Sequence, residues 1–321
     1  MGRVGLVLGA GGAAGVAYHA GVLAGLAEAT GWDPRSAELL VGTSAGSITA
    51  SGLRAGISAQ DLAARTEGRP LSEAGSEILA RVEAAVGVRA PVGTPSRFPA
   101  GPPAAPGVLL AAGLRPWRVR PGSMLAGLMP AGTVPIGVIA KGVDALFADG
   151  WPDRGLWICA VRLGDGRLTV FGRRGSPPAG VGEAVAASCA IPAYFSPVEI
   201  GGSRYVDGGA HSINNLAEVA GEGLDLVVVS APMSRARRSR LEPPALVRDL
   251  GRLQLRLEAA RVRRRGTQVF AFQPTAEDQA AAGCNFMDPA RQAAVARQAR
   301  ASVLRRLERP EVLSRLEALT S

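Results

Sequence analysis

The chain has 321 residues, 47% of them hydrophobic, enough for a large core in one large domain or two smaller ones. Its 36 basic and 27 acidic side chains leave a net charge of +9, and because Lys141 is the only lysine, that basicity is arginine; it favours acidic surfaces of any kind and says nothing about fold. Three scattered cysteines (Cys159, Cys189, Cys284) and two histidines (His19, His211) exclude a disulfide framework and offer no metal-ligand spacing, so no metal or other cofactor is expected, and a reducing, cytoplasmic setting is the default.

Val4 to Leu8 reads as a short buried strand, Gly9 to Gly15 as a glycine-rich loop, and Val16 to Ala29 as a helix with Leu23, Leu26 and Ala27 on one face. The apolar stretch from Val4 to Leu26 imitates a signal peptide, but Gly9, Gly11, Gly12 and Gly15 interrupt it and would break an h-region helix. No apolar run reaches the roughly 18 residues of a membrane span. Leu39 to Val41 is a second strand and Ala45 to Ala55 a second helix, so strand and helix alternate as in a parallel sheet covered on both faces. Asp61 to Val86 reads as one helix.

Composition then changes. Residues 91–135 hold 10 of the 23 prolines, and eight glycines fall between Gly87 and Gly132. Proline at that density prevents ladders and helices, so residues 87–132 read as a surface insertion, either a lid or a disordered loop. Its apolar patches, Val108 to Leu110 and Met124 to Met129, fit a short helix packed on the core better than a membrane-facing lid.

Leu156 to Leu163 and Arg167 to Phe171 are strand-like runs joined by Gly164-Asp165-Gly166, a hairpin signal. Val181 to Cys189 is a short helix, Arg204 to Val206 a strand ending at Asp207-Gly208-Gly209, and Leu224 to Ser230 a β-branched strand. In the last third Leu246, Leu250, Leu253 and Leu257 share one helical face, Thr267 to Phe272 is a final strand, and Asp288-Pro289 opens a long helix with Asp as N-cap.

Two of these turns carry chemistry. Leu39-Leu40-Val41 runs into Gly42-Thr43-Ser44-Ala45-Gly46, a strand entering a helix through Gly-x-Ser-x-Gly, the nucleophile-elbow pattern. A Cβ at Gly42 or Gly46 would clash with the tight turn and with helix packing. The bland reading is an ordinary N-cap serine. The loop Gly9 to Gly15 can turn backbone N–H groups into a cavity beside the positive end of a helix dipole, holding phosphate or an oxyanion. Gly9-x-Gly11-x-x-Ala14 also matches a dinucleotide fingerprint, which wants an acid about 20 residues on to hold a ribose; Gly42-Thr43-Ser44 stands at that place instead. Both loops leave the carboxyl ends of strands, the edge where open parallel sheets bind ligands.

A base for Ser44 remains to be chosen. His211 is the only histidine after Ser44, yet it lies four residues from Asp207, too close for the usual relay. Asp207 follows a strand, precedes Gly208-Gly209, and is the better candidate for direct contact with Ser44; His211 stays as the alternative.

These residues resemble the patatin-like phospholipases. Three motifs occur in order: the loop Gly9 to Gly15, Gly42-Thr43-Ser44-Ala45-Gly46, and Asp207-Gly208-Gly209. Ala187-Ser188-Cys189-Ala190-Ile191-Pro192-Ala193-Tyr194-Phe195 is similar to the family as well, and Gly283 to Pro289 to its bacterial members. The resemblance implies a three-layer α/β/α fold with a mainly parallel sheet, residues 1–321 forming a single domain with a catalytic core at 4–230 and a helical, arginine-rich extension at 235–321. It implies a lipid acyl hydrolase without histidine: Ser44 as nucleophile, Asp207 as proton acceptor, Gly11, Gly12 and Ala13 N–H groups as oxyanion hole, and Gly9, Gly15, Gly42, Gly46, Gly208 and Gly209 as supports. Departures are Ala10 for a commoner glycine, Ala14 where many members carry Arg or Lys, and Asn214-Asn215-Leu216 without the usual proline.

Arg235 to Arg265 contains eleven arginines and three acids. A solvated helix face is the favoured reading, with peripheral contact to an anionic membrane as the sharper one. Nucleic acid is not expected, since aromatics make up only 4% of the chain and no recognition motif occurs. The expected partner is a lipid or other acyl ester. Alternatives are a lipid-surface or scaffold protein with a relic site, and a dinucleotide-binding oxidoreductase.

Overall fold

The computed structural model describes residues 2–87, 101–108, 119–235 and 243–319. Five strands supply a parallel sheet: β1 (Val4–Leu8), β2 (Leu39–Thr43), β3 (Gly155–Arg162), β7 (Leu226–Ser230) and β8 (Gln268–Phe272). Three antiparallel strands complete it, β4 (Arg167–Phe171) and β6 (Ser203–Asp207) on β3, and β5 (Val198–Ile200) on β6. The strand order is β5-β6-β3-β2-β1-β7-β8, with β4 also on β3.

Side-chain alternation divides the core into two layers. Leu6, Leu8, Leu40, Ile158, Val228 and Phe270 point to the larger one. There they meet α1 (Gly12–Thr30), α2 (Ala45–Arg54), α7 (Val181–Cys189) and α10 (Gln292–Leu307). Val7, Val41, Cys159, Val227, Val229 and Val269 point the other way, where Leu255, Ala259 and Val262 of α8 (Pro243–Arg263) cover them with Leu216 and Val219. The β-rich segments are continuously apolar because both faces are buried. Helices α1 and α10 cross so closely that a Cβ at Gly21 would run into the carbonyl of Ala296.

The free edge of β8 is closed by arginines. Arg263 donates to the carbonyl of Val269 (3.0 Å) and Arg306 to that of Ala271 (2.8 Å), with the Arg306 guanidinium 4.5 Å from the Phe270 ring centre. Such capping removes acceptors that another strand could pair with.

Several sequence expectations need correction. The helix expected over 61–86 is two, α3 (Ala59–Glu67) and α4 (Glu73–Val86). Gly68, at φ 69, ends the first, and Ser58 and Ser72 cap each one separately. The first helix begins at Gly12 rather than Val16, so half the expected loop is the first turn of α1. The long helix expected from Asp288-Pro289 opens as a 3-10 turn, Pro289–Arg291, which Asp288 caps, and α10 proper begins at Gln292. Strand β5 and helix α9 (Ala276–Ala282) were not expected.

Parts of the insertion are held to the core. Helix α5 (Pro121–Leu128) packs Ala126 with Ala105 against Val161, Leu163 and Val206, and Ala104 and Ala105 N–H bond to the carbonyls of Met129 and Gly127. Residues 88–100 and 109–118 of the insertion lie outside the described residues. Helix α6 (Gly137–Asp144) follows and packs its Gly142–Val143 end inward. Leu250, Leu253 and Leu257 do share a face of α8, but that face points to solvent.

Candidate active site

Strand β3 holds the key to the site. Thr43, the last residue of β2, pairs with Cys159, and Asp207, the last residue of β6, pairs with Ala160. Strand β4 pairs with both Cys159 and Ala160 from the opposite edge. Strands β2 and β6 therefore lie on the same edge of β3 and meet there, carboxyl end to carboxyl end. The chain turns out of the sheet at Ser44 where Asp207 takes over the ladder.

Ser44 makes that turn at φ 53 and ψ −120, a backbone state that side chains other than glycine rarely adopt. The strain is held by α2: Ser47 N–H and Oγ–H both donate to the Ser44 carbonyl, at 2.8 and 2.6 Å. A Cβ at Gly46 would overlap the carbonyl of Leu8, and one at Gly42 would overlap Ser47, so both motif glycines are required by contact. Where β2 leaves the ladder, the Ser188 hydroxyl fills the gap. It accepts from Ser44 N–H (2.9 Å) and donates to the Cys159 carbonyl (2.6 Å).

Asp207 is buried, and its carboxylate accepts from Gly209 N–H at 2.7 Å. Burial pushes its pKa up to about 6, against the opposing pull of the Ser44 hydroxyl, which faces it, and of the Gly209 N–H. The Cys189 thiol lies 3.7 Å from Ser47 Oγ beside the same pair, its own ionisation suppressed by burial. Asn215, in the left-handed region at φ 50, ties the two turns together. Its amide donates to Thr43 Oγ1 (3.0 Å), the Gly208 carbonyl (3.3 Å) and the Ser212 carbonyl (2.8 Å).

The glycine-rich segment packs against both. Gly15 abuts Ala45, and Gly209 abuts Ala10. Gly9 N–H bonds to the Ser230 carbonyl, Ala10 N–H to that of Ile213, and Ala14 N–H to that of Phe286 (2.9 Å). Between them, the N–H groups of Gly11, Gly12 and Ala13 donate to nothing among the described residues. They sit at the N-cap and in the first turn of α1, where the helix dipole favours negative charge. His19 braces the loop from inside α1: Nε2–H donates to the Gly9 carbonyl and Nδ1 accepts from Ser230 Oγ, each at 2.8 Å. Burial lowers its pKa to about 4, consistent with a neutral ring.

His211 follows the Asp207 turn without joining the cluster. Burial and the neighbouring Arg120 charge lower its pKa to about 4, and no hydrogen bond joins it to Ser44 or Asp207 among the described residues. Ala14 lines a narrow crevice with Gly11, Tyr18, Phe286 and Arg248, whose buried guanidinium stacks 5.1 Å from the Phe286 ring. A cavity of about 260 Å³, lined by Leu226, Gln268, Phe270 and Arg315, opens at the amino ends of β7 and β8, on the opposite edge from Ser44.

The residues singled out from sequence thus gather at one place: Ser44, Asp207, and the loop with Gly11, Gly12 and Ala13. Ser188 and Asn215 escaped that reading as site residues. Their nearest signal was adjacency to motif positions, and their roles depend on hydrogen bonds spanning 144 and 172 positions of chain.

A family model described as patatin-like phospholipase matches residues 6–220. No curated protein matches the chain. Among solved structures, VipD from Legionella pneumophila aligns over 96% of this chain and 67% of its own, at 16% identity and a TM-score of 0.46. No helix among the described residues is long and apolar enough to cross a membrane.

Proposed function

Since the chain belongs to the patatin-like phospholipase family, we propose that it is a serine lipid acyl hydrolase working through a Ser44–Asp207 dyad. The observation that supports this most is the meeting, at one sheet edge, of a strained serine, a buried carboxylate and three N–H groups that donate to nothing among the described residues. Residues 4–230 supply these groups and form the catalytic core in this reading, with 235–321 as an extension of the same domain.

The Ser44 hydroxyl oxygen attacks the ester carbonyl carbon while its proton passes to the Asp207 carboxylate. The Gly11, Gly12 and Ala13 N–H groups receive the oxyanion, and loss of one such donor typically costs about 3 kcal/mol of transition-state stabilisation. Collapse expels the alcohol, which takes the proton from Asp207 and leaves an acyl-serine. Water then attacks, giving its proton to Asp207, and the acid departs as the Ser44 hydroxyl is restored. An aspartate near its ordinary pKa of about 3.9 is a feeble base, whereas one at about 6 is far better matched to neutral pH.

The dinucleotide reading lacks its acid, since β2 ends at Thr43 and Ser44 follows it. The test is a fluorophosphonate probe together with p-nitrophenyl esters of varied chain length. Labelling at Ser44 with ester turnover is expected. A chain that neither labels nor turns over any ester is a relic site, and the proposal fails.

A further inference from the structure

Helix α8 carries an apolar row on each of two faces, one toward the core and one toward solvent. Leu255, Ala259 and Val262 enter the core, Gly251 lies against the Met233 carbonyl, and the Glu258 carboxylate accepts from Leu216 N–H at 2.9 Å. On the outer face Val247, Leu250, Leu253 and Leu257 follow at intervals of three and four, a continuous stripe. They are 40%, 52%, 53% and 63% exposed. Single exposed leucines need no explanation, but a continuous row of apolar side chains in water does.

The charges around the stripe are of one sign. Arg252, Arg256, Arg261, Arg264 and Arg265 flank or extend it and enter no ion pair among the described residues. Of the acids in α8, Asp249 pairs with Arg235 and Glu258 is buried under Leu216, so neither offsets them on the outer face.

We propose that this outer face of α8 docks on an anionic lipid surface. Leucines enter the boundary of the acyl chains while arginines, their stems lying along the apolar row, reach the phosphates. Each arginine near such a surface adds to binding, and the effect weakens with salt. A second copy of the chain would set arginine row against arginine row with no acid between them. A nucleic acid would satisfy the arginines and leave the leucines in water. The helix itself lies beside the site: on its inner side Gly251 lies against the carbonyl of Met233, and the preceding Pro232 lies against Gly11. That this docking serves lipid hydrolysis rests on the proposed function; the docking itself does not.

The experiment measures co-sedimentation of the full chain with vesicles of phosphatidylcholine and phosphatidylglycerol in equal parts. It uses the Ser44→Ala background, so that lipid turnover cannot interfere and loss of catalysis leaves the result readable. Binding is expected, weakened by high salt and absent on phosphatidylcholine alone. Leu250→Gln, Leu253→Gln and Leu257→Gln combined should lower it at least about tenfold. They should leave the thermal midpoint no lower, because all three side chains are exposed. Arg256→Glu with Arg261→Glu is the independent variant and should also lower it. Absence of binding by the parent, or unchanged binding in both variants, overturns the proposal. So does a dimer that the leucine variant dissociates while vesicle binding persists.

Discussion

Asp207 occupies, on the edge of β3, the ladder position that Ser44 vacates. Thr43 pairs with Cys159 and Asp207 with the next residue, Ala160, so one strand edge sets both chain reversals. A shift of either register by one residue would turn its side chain to the other face of the sheet. The dyad geometry is thus a property of the β3 edge as much as of the two turns.

Ser188 bridges that junction, and Ser188→Ala leaves Ser44 N–H and the Cys159 carbonyl without it. We expect kcat to fall by roughly tenfold to a hundredfold with KM little changed, because the nucleophile is misplaced while the acyl pocket is intact. Stability should drop by about 1–3 kcal/mol, the cost of an unmade buried hydrogen bond. Equal changes in kcat and stability across a series of unrelated core variants would show that Ser188 merely supports the fold.

Asp207→Asn should abolish ester turnover and yet stabilise the protein at alkaline pH. A folded pKa of about 6, above the ordinary aspartate value, means that native stability falls as pH rises from about 4 to about 6 and is level beyond. That buried charge costs on the order of 3 kcal/mol, which the neutral amide avoids. Thermal melts of wild type and variant should differ most at pH 8 and converge near pH 4, about the ordinary carboxylate pKa. For the wild type, kcat/KM should climb through an apparent pKa of about 6 and hold above it. Undiminished turnover in the variant would remove Asp207 from the mechanism.

His211→Ala is expected to retain turnover within about threefold, since burial and Arg120 hold the ring neutral and no hydrogen bond joins it to Ser44 or Asp207 among the described residues. Loss of activity with a normal melting curve would restore a histidine base.

Gly46→Ala and Gly137→Ala separate the elbow from ordinary helix positions. The new methyl group at Gly46 overlaps the Leu8 carbonyl, whereas at Gly137, near the start of α6, nothing lies within contact. The first should cost more than about 3 kcal/mol or prevent folding; the second should be neutral or stabilise by up to about 1 kcal/mol. Denaturant midpoints measure both, and equal midpoints would discount the contact argument.

Much of the fold was legible because its signals are local. Continuous apolar runs such as Leu226–Ser230 mark strands buried on both faces, and Gly-x-Ser-x-Gly after such a run marks the elbow. Local signals also misled. The periodicity across 61–86 hid a break that Gly68 and the caps Ser58 and Ser72 impose. Leu250, Leu253 and Leu257 were recognisable as one helical face, but no pattern in a single helix says whether that face meets a sheet or water.

The amino-acid sequence by itself determined the kind of chemistry on offer: a serine in a strand–helix turn, a glycine-rich helix start, and an aspartate before two glycines. Those depend on backbone geometry within a few residues. Only the tertiary structure decided which groups meet. Asp207 reaches Ser44 through the register of β3, Ala14 N–H is taken by Phe286 while the three N–H groups before it donate to nothing among the described residues, and Ser188 and Asn215 bind the turns together. These pairings join residues up to 272 positions apart, and a burial-driven pKa, like that of Asp207, exists only once the chain has closed around it.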